Sequence, residues 1–304
     1  MKMSRRICVS VVGLMTATMA WGGWAQSPDF ALYDGGHVAG IVYSAAGKGA
    51  TAGLAARMLA GDLQKISGQA PVVSNQLSAC KPDCVVIGDL ESPLVKQLAQ
   101  THHIDLTALS GAWERYGRVV ITTSAHQNIL LIYGSDRRGM IYGVVDLTRE
   151  MGVSAWEWWA DVAPRRVERL HVSAAPVVSK APSVTYRGIF LNDEDWGLKP
   201  WAAQTYDSQT GNIGPKTYAR IYELMWRLKA NTLWPAMHDV STPFYDIKAN
   251  PKQANDYAIV MGTSHSEALM RNNFGEWNEK QDGAFNIFTN RSHIKTYWQK
   301  RVSQ

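Results

Sequence analysis

Apolar positions along this chain fall into two alternating rhythms. Short continuous apolar runs at 40–44, 71–73, 84–88, 118–123 and 128–133 predict strands. Between them the spacing turns helical. Leu54, Met58, Leu59, Leu63 and Ile66 predict a helix over 51–66, ended by Gly68 where a left-handed residue is favoured. Ser92-Pro93 sets a capping hydroxyl before a proline at the first helical position. Ile141, Val144, Val145 and Leu147 predict a core-facing helix over 136–151, closed by Gly152. Residues 26–37 read as an extended lead-in, and 118–123 and 128–133 as paired strands joined at 124–127. The expectation for 26–170 is an α/β sandwich domain.

The pattern then changes. Trp156, Trp158 and Trp159 crowd the segment 155–166, either as an interface plug or as a substrate platform, with interface packing the preferred reading. Residues 171–184, rich in Ala, Pro, Val and Ser, read as an extended linker. From 185 to 304 strand and helix alternate. The run 188–191 predicts a buried strand. Pro215 opens a helix to about 229, with Tyr218, Ile221, Tyr222, Leu224, Met225 and Leu228 on a broad apolar face. Strands are expected at 231–237 and 258–262, and helices at 251–257 and 292–302. This is the alternation of a (β/α)8 TIM barrel. Eight strands need about 250 residues, so three units are expected here. The predicted fold class is α/β, an N-terminal α/β sandwich domain followed by the first three β/α units of a truncated barrel.

Composition alters this picture in three places. Twelve Trp and twelve Tyr against six Phe favour rings with a polar handle, which suit sugar binding as well as large cores. Residues 1–25 read as a secretory signal: Lys2, Arg5 and Arg6, then the apolar stretch 7–20, then Gly23-Trp24-Ala25. That stretch is shorter than the ~20 residues a membrane span needs. Cleavage is therefore expected, giving a periplasmic or secreted protein with no membrane attachment. Loss of those cations lowers the formal charge from +5 to +2, which leaves no basic stripe for nucleic acid. Cys8 leaves with the signal. Cys80 and Cys84 then form either a local loop staple or two free thiols, and a zinc site is disfavoured by the want of neighbouring ligands.

Candidate chemistry gathers where the predicted barrel strands end, the face that carries active sites in parallel α/β folds. Past 188–191 come Asn192, Asp193, Glu194 and Asp195, then Trp196 and Trp201. One acidic residue there reads as a turn or a helix cap. Three carboxylates with two tryptophans suggest acid–base chemistry beside a flat, polyhydroxylated substrate. Trp234, Met237 and His238 form a second group, and His265 and Glu267 a third. Paired carboxyl groups can protonate a leaving oxygen and activate water, as in glycoside hydrolysis. His265-x-Glu267 is a weak metal pattern, so no metal is expected; His265 serves equally well as a bond to a neighbouring strand. Gly47-Lys48-Gly49 lacks the rest of a Walker motif, and 134–139 lacks the dinucleotide spacing. No Gly-x-Ser-x-Gly elbow is present. His102 and His103 read as solvated loop residues.

Several motifs, in order, carry a resemblance to a known family. They are Gly134-Ser-Asp-Arg-Arg-Gly-Met-Ile-Tyr-Gly143, Trp158-Trp-Ala-Asp-Val162 and Arg187-Gly-Ile-Phe-Leu-Asn-Asp-Glu-Asp-Trp-Gly-Leu-Lys-Pro-Trp-Ala202. Gly214-Pro-Lys-Thr-Tyr218, Arg227-Leu-Lys-Ala-Asn-Thr-Leu-Trp-Pro-Ala-Met-His238 and Gly262-Thr-Ser-His-Ser-Glu267 continue the series. The chain resembles glycoside hydrolase family 115, the xylan α-1,2-glucuronidases. The resemblance implies an exported enzyme that removes glucuronic acid, or its 4-O-methyl ether, from xylan side chains with inversion and no organic cofactor. It implies glucuronoxylan or a glucuronoxylo-oligosaccharide as partner and a homodimer for the full-length form. It also implies catalytic roles for Glu194 and Asp193, with Asn192, Trp196, Trp234, His238, His265 and Glu267 lining the sugar pocket. The chain departs from the family in two ways. The fourth-strand Met-Arg-Gly-x-Gly-Asp motif is not reached before Gln304, and His-His-Glu is replaced by His265-Ser266-Glu267. The expectation is an inactive front part of such an enzyme. The alternatives are a non-catalytic glycan-binding protein and a barrel glycosidase of another specificity.

Overall fold

The computed structural model describes residues 29–44, 50–124, 126–192, 195–263, 265 and 267–303. The predicted signal, 1–25, lies outside the described residues. The chain is mixed α/β. Strand β1 (Asp29–Asp34) turns through Gly35 and Gly36, both at positive φ, into β2 (His37–Val38). Then come β3 (Gly40–Tyr43), α1 (Thr51–Ser67), β4 (Val73–Ser74), β5 (Cys84–Asp89) and α2 (Pro93–Thr101). They are followed by β6 (Tyr116–Thr122), β7 (Asn128–Gly134), α3 (Arg137–Glu150), β8 (Leu170–Ser173) and β9 (Val177–Val178). The lead-in expected at 26–37 is thus partly a hairpin, and β8 pairs with β1.

The large sheet runs β4-β3-β5-β7-β6-β9. Its first four strands are parallel, and β6 is antiparallel to both β7 and β9. Side chains alternate across it with period two. Val85, Ile87, Leu130 and Ile132 meet α1 and α3 on one face. Val86, Ile129 and Leu131 meet Val95 and Leu98 of α2 on the other. Burial on both faces is why the sequence shows unbroken apolar runs here. Asp136 caps α3, its Oδ1 accepting from the Gly139 amide at 2.8 Å. A Cβ on Gly139 would stand 2.1 Å from the Arg115 carbonyl oxygen. The glycines of 134–139 therefore serve a close-packed helix entry. Cys80 and Cys84 are bridged.

The second region contains β10 (Gly188–Phe190), α4 (Leu198–Trp201), α5 (Pro215–Arg227), β11 (Thr232–Trp234), α6 (Ala249–Asp256) and β12 (Val260–Met261). Helices α7 (Asn273–Glu276), α8 (Glu279–Asp282) and α9 (Arg291–Val302) follow. Strands β10, β11 and β12 make a parallel sheet in that order. Three sequence expectations are corrected. The strand expected at 231–237 stops at Trp234, because Pro235 has no amide hydrogen for the ladder. The strand expected at 258–262 begins only at Val260, because Ala258 takes a left-handed backbone with φ 53°. The run 188–191 is not buried: Ile189 is 41% and Phe190 36% exposed, since β10 pairs on one side only among the described residues.

The two regions share one core. Tyr218, Ile221, Tyr222, Met225 and Trp226 of α5 lie in the cluster that holds α1 and α3. The segment 171–184, expected as a linker, adds strands to both sheets of the first region through β8 and β9. Two buried ionic clamps join the regions. Arg227 donates to both carboxylate oxygens of Asp62 at 2.9 Å. Burial works against the Arg227 charge, yet the bonds to Asp62 and the nearby Glu223 raise its pKa on balance. In the second clamp Glu114 accepts from Arg138 at 2.6 Å and Asn231 at 2.7 Å, and also pairs with Arg187.

Candidate active site

Parallel pairing brings the carboxyl ends of β10, β11 and β12 side by side. The register sets Phe190 beside Trp234, and Thr232 beside both Gly188 and Val260. These residues share one face of the sheet. Leu233, on the opposite face, is fully buried. A hollow of about 520 Å³ runs along the first face and the open edge of β10, lined by Tyr186, Gly188, Ile189, Phe190, Thr232, Trp234 and Val260. Phe190 meets Trp234 edge to face with ring centroids 5.9 Å apart, and meets the His265 ring at 5.8 Å. Gly262 backs the indole. A Cβ there would lie 2.3 Å from Trp234 Nε1 and 2.4 Å from Cδ1.

Of the predicted site residues, Asp193 and Glu194 lie outside the described residues. Asn192, which precedes them, is exposed, and Trp196 is 86% exposed. Asp195 has a left-handed backbone at φ 70°, and its Oδ1 sits 2.8 Å from Lys199 Nζ one helical turn on. That carboxylate of the sequence cluster is an ion-paired turn residue. Trp234 presents its ring on the open face. Met237, grouped with it in the sequence, is buried in the core. His238 is half exposed, with Nδ1 2.6 Å from Asp239 Oδ1. Its carbonyl accepts from the Ser241 amide and from Asn272 Nδ2, which fixes the turn after β11. His265 also takes a left-handed backbone, at φ 45°. Such backbone strain is concentrated at functional sites. Glu267 is buried, and its Oε2 has no hydrogen-bond partner among the described residues.

The structure therefore brings Trp234 and His265 together and adds Phe190 and Gly262, which sequence reasoning missed. The signal for Phe190 was its strand position, two residues before Asn192, read as core. Gly262 gave no signal without the register. Trp201, read with the strand-end cluster, packs elsewhere, stacked on Tyr206 at 5.4 Å and against Trp158 and Trp159. The interface-packing reading of those tryptophans agrees with this, since Trp159 Nε1 donates to the Arg220 carbonyl and Arg220 lies over Trp158. Among the described residues no group of three or more His, Cys, Asp or Glu is placed to hold a metal ion. No described helix is long and apolar enough to cross a membrane.

Parallel strands β10, β11 and β12 with their helices pack on the α/β region and set the rings of Phe190, Trp234 and His265 close together. The family follows from comparison with known proteins. The model of Glycosyl hydrolase family 115 matches residues 179–304, and this part of the chain belongs with that family. A solved family GH115 4-O-methyl-alpha-glucuronidase with specificity for decorated arabinogalactans is 35% identical, with a TM-score of 0.77 over 90% of this chain and 34% of its own. The chain thus spans about a third of that relative's length. A mutant Streptomyces plicatus beta-hexosaminidase in complex with GlcNAc is 12% identical over 78% of this chain and 42% of its own, at a TM-score of 0.45. A Streptomyces coelicolor GH20 beta-N-acetylhexosaminidase is 12% identical over 78% and 43%, at a TM-score of 0.44. Comparison with curated protein sequences gives no match.

Proposed function

We propose that this chain carries substrate-recognising strand ends of an exported glycoside hydrolase that removes glucuronic acid, or its 4-O-methyl ether, from xylan side chains. The observation that carries this reading is the likeness to a 4-O-methyl-alpha-glucuronidase across 90% of the chain. In this reading β10, β11 and β12 with their helices are the first three units of a (β/α)8 barrel behind an N-terminal domain at 26–170. The exposed indole of Trp234 offers a flat face to the C–H side of a pyranose, with Phe190 and Gly262 holding it in place. Asn192, His238 and His265 supply polar groups for the sugar's hydroxyls and carboxylate, Trp196 covers the ring, and Glu267 adds an acceptor. Asp193 and Glu194 are the proposed carboxyl pair. One protonates the leaving glycosidic oxygen and the other activates water on the opposite face of the ring, which inverts the anomeric centre. Glu194 is the candidate for the more direct role. Water and two carboxyl groups complete this chemistry, and no organic cofactor enters it. Export to the periplasm or the medium is supported by the signal-like pattern of 1–25.

A second reading keeps the sugar and changes its carrier. The relative's specificity for decorated arabinogalactans favours a glucuronosyl group on arabinogalactan. Calorimetric titration tests the first reading. A xylo-oligosaccharide bearing one 4-O-methylglucuronosyl group should bind about tenfold tighter than the undecorated oligosaccharide, a difference of ~1.4 kcal/mol. Trp234→Ala should abolish that difference. Equal affinities in the unaltered protein would overturn the proposal, and a preference only for acid-decorated arabinogalactan would favour the second reading.

A further inference from the structure

We propose a second carbohydrate site on this chain, for a neutral pyranose chain such as undecorated xylan backbone, in the cavity between 155–166 and α4. The inference builds on the carbohydrate reading above. The cavity measures about 1060 Å³, twice the strand-end hollow, and Trp158, Trp159 and Trp201 line it. These rings do not stack on one another. Trp158 stands edge-on to Trp159 at 84° and to Trp201 at 74°. All three are packed on one side and partly buried, which leaves part of each ring facing the cavity. Tyr206 stacks on one face of Trp201, with 15° between the ring planes, and so fixes the indole's orientation. Apolar aromatic walls with a few polar groups at the rim are the make-up of a small-molecule site.

The rim decides the ligand's charge. Lys65 and Arg166 line the cavity with Glu157 and Asp161. Lys65 is ion-paired with Glu157, which also faces Arg227 at 3.6 Å. Two cations and two carboxylates give the lining residues no net formal charge, which favours a neutral ligand over an ion. Such groups bond the hydroxyls of a neutral sugar while the indoles meet its C–H faces. The cavity is also tied to the strand ends. Gly197 and Leu198 line it and close the loop that leaves β10 through Asn192. A polysaccharide backbone lying over the tryptophans could present its acidic branch to the hollow at Trp234.

The test is titration of the 304-residue chain with xylohexaose, read by calorimetry and tryptophan fluorescence. Trp201→Ala should weaken binding about tenfold or more, as for an aromatic anchor. Asp161→Gly, at an exposed position whose left-handed backbone (φ 53°) suits glycine, should weaken it measurably. Trp234→Ala should leave it unchanged. Unaltered affinity in both Trp201→Ala and Asp161→Gly would overturn the proposal, as would loss of xylohexaose binding in Trp234→Ala. Loss of the preference for decorated ligand with retained xylohexaose binding would sink the strand-end reading and leave this site standing.

Discussion

Glu114 offers the sharpest test of how the two regions are joined. Its side chain is wholly buried, its backbone is left-handed at φ 54°, and it stands just before β6. Three donors converge on it, from Arg138, Arg187 and Asn231. Arg187 in turn donates to the Lys229 carbonyl at 2.9 Å, and Asn231 Oδ1 accepts from the Arg187 amide at 3.0 Å. The starts of β10 and β11 are thus hung on one carboxylate. Glu114→Ala leaves two guanidinium groups without their counter-charge. Removing one partner of a buried pair costs about 3–5 kcal/mol. Arg187 and Arg138 keep 21% and 32% side-chain exposure, so water offsets part of the loss and the lower end, about 3 kcal/mol, applies. With an unfolding entropy near ~2.1 cal/mol/K per residue, that loss lowers Tm by about 5 °C. Urea unfolding at constant m measures it directly. In a double-mutant cycle with Arg187→Ala the two changes should couple by about 1 kcal/mol or more. A loss below about 1 kcal/mol for Glu114→Ala, or additive single changes, would refute the clamp.

Other outcomes follow from the same geometry. Arg227→Ala leaves Asp62, Glu157 and Glu223 facing one another without their shared cation; unfolding should become easier by about 3–5 kcal/mol, and a loss near zero would argue against a buried clamp. Gly262→Ala should displace the Trp234 indole, which its Cβ would meet at 2.3 Å, and reduce affinity for decorated ligand as far as Trp234→Ala does; unchanged affinity would remove Gly262 from the site. Burial raises the Asp89 carboxyl above its ordinary value of 3.8, although the Glu91 amide bond opposes the shift. The native state then binds that proton more tightly than the unfolded chain, so Asp89 lowers stability as pH rises from 3.8 through its raised native value. Asp89→Asn should flatten stability against pH in that window; an unchanged slope would contradict the assignment.

The legible parts of the fold were those buried on both faces. Strands β5 and β7 announce themselves because helices cover each side, so Val85 to Ile87 and Ile129 to Ile132 are unbroken apolar runs. Strand β10 misled because its apolar residues face an open hollow and an unpaired edge. Pro235 marked the end of β11, yet the apolar run beyond it belongs to the core, as the burial of Ala236 and Met237 shows. Strand-end position alone proposed Trp234 and His265 for the candidate site, and both rings meet Phe190. Phe190 and Gly262 could not be proposed that way, since their roles depend on which residue of the next strand stands opposite. Trp201 went astray because its ring packs on Tyr206, Trp158 and Trp159, partners that no local pattern names. The ionic clamps were hidden for the same reason: Glu114 and Arg187 are 73 residues apart, and no local pattern links them.

The most direct test of the central claim is a crystal structure of the chain with xylotriose carrying one 4-O-methylglucuronosyl branch. The account predicts the uronic ring stacked on Trp234 within about 4 Å, its polar groups turned towards Asn192 and His265, and the xylose units leading towards Trp201. A uronic ring bound away from Trp234, with the strand-end hollow left empty, would contradict it.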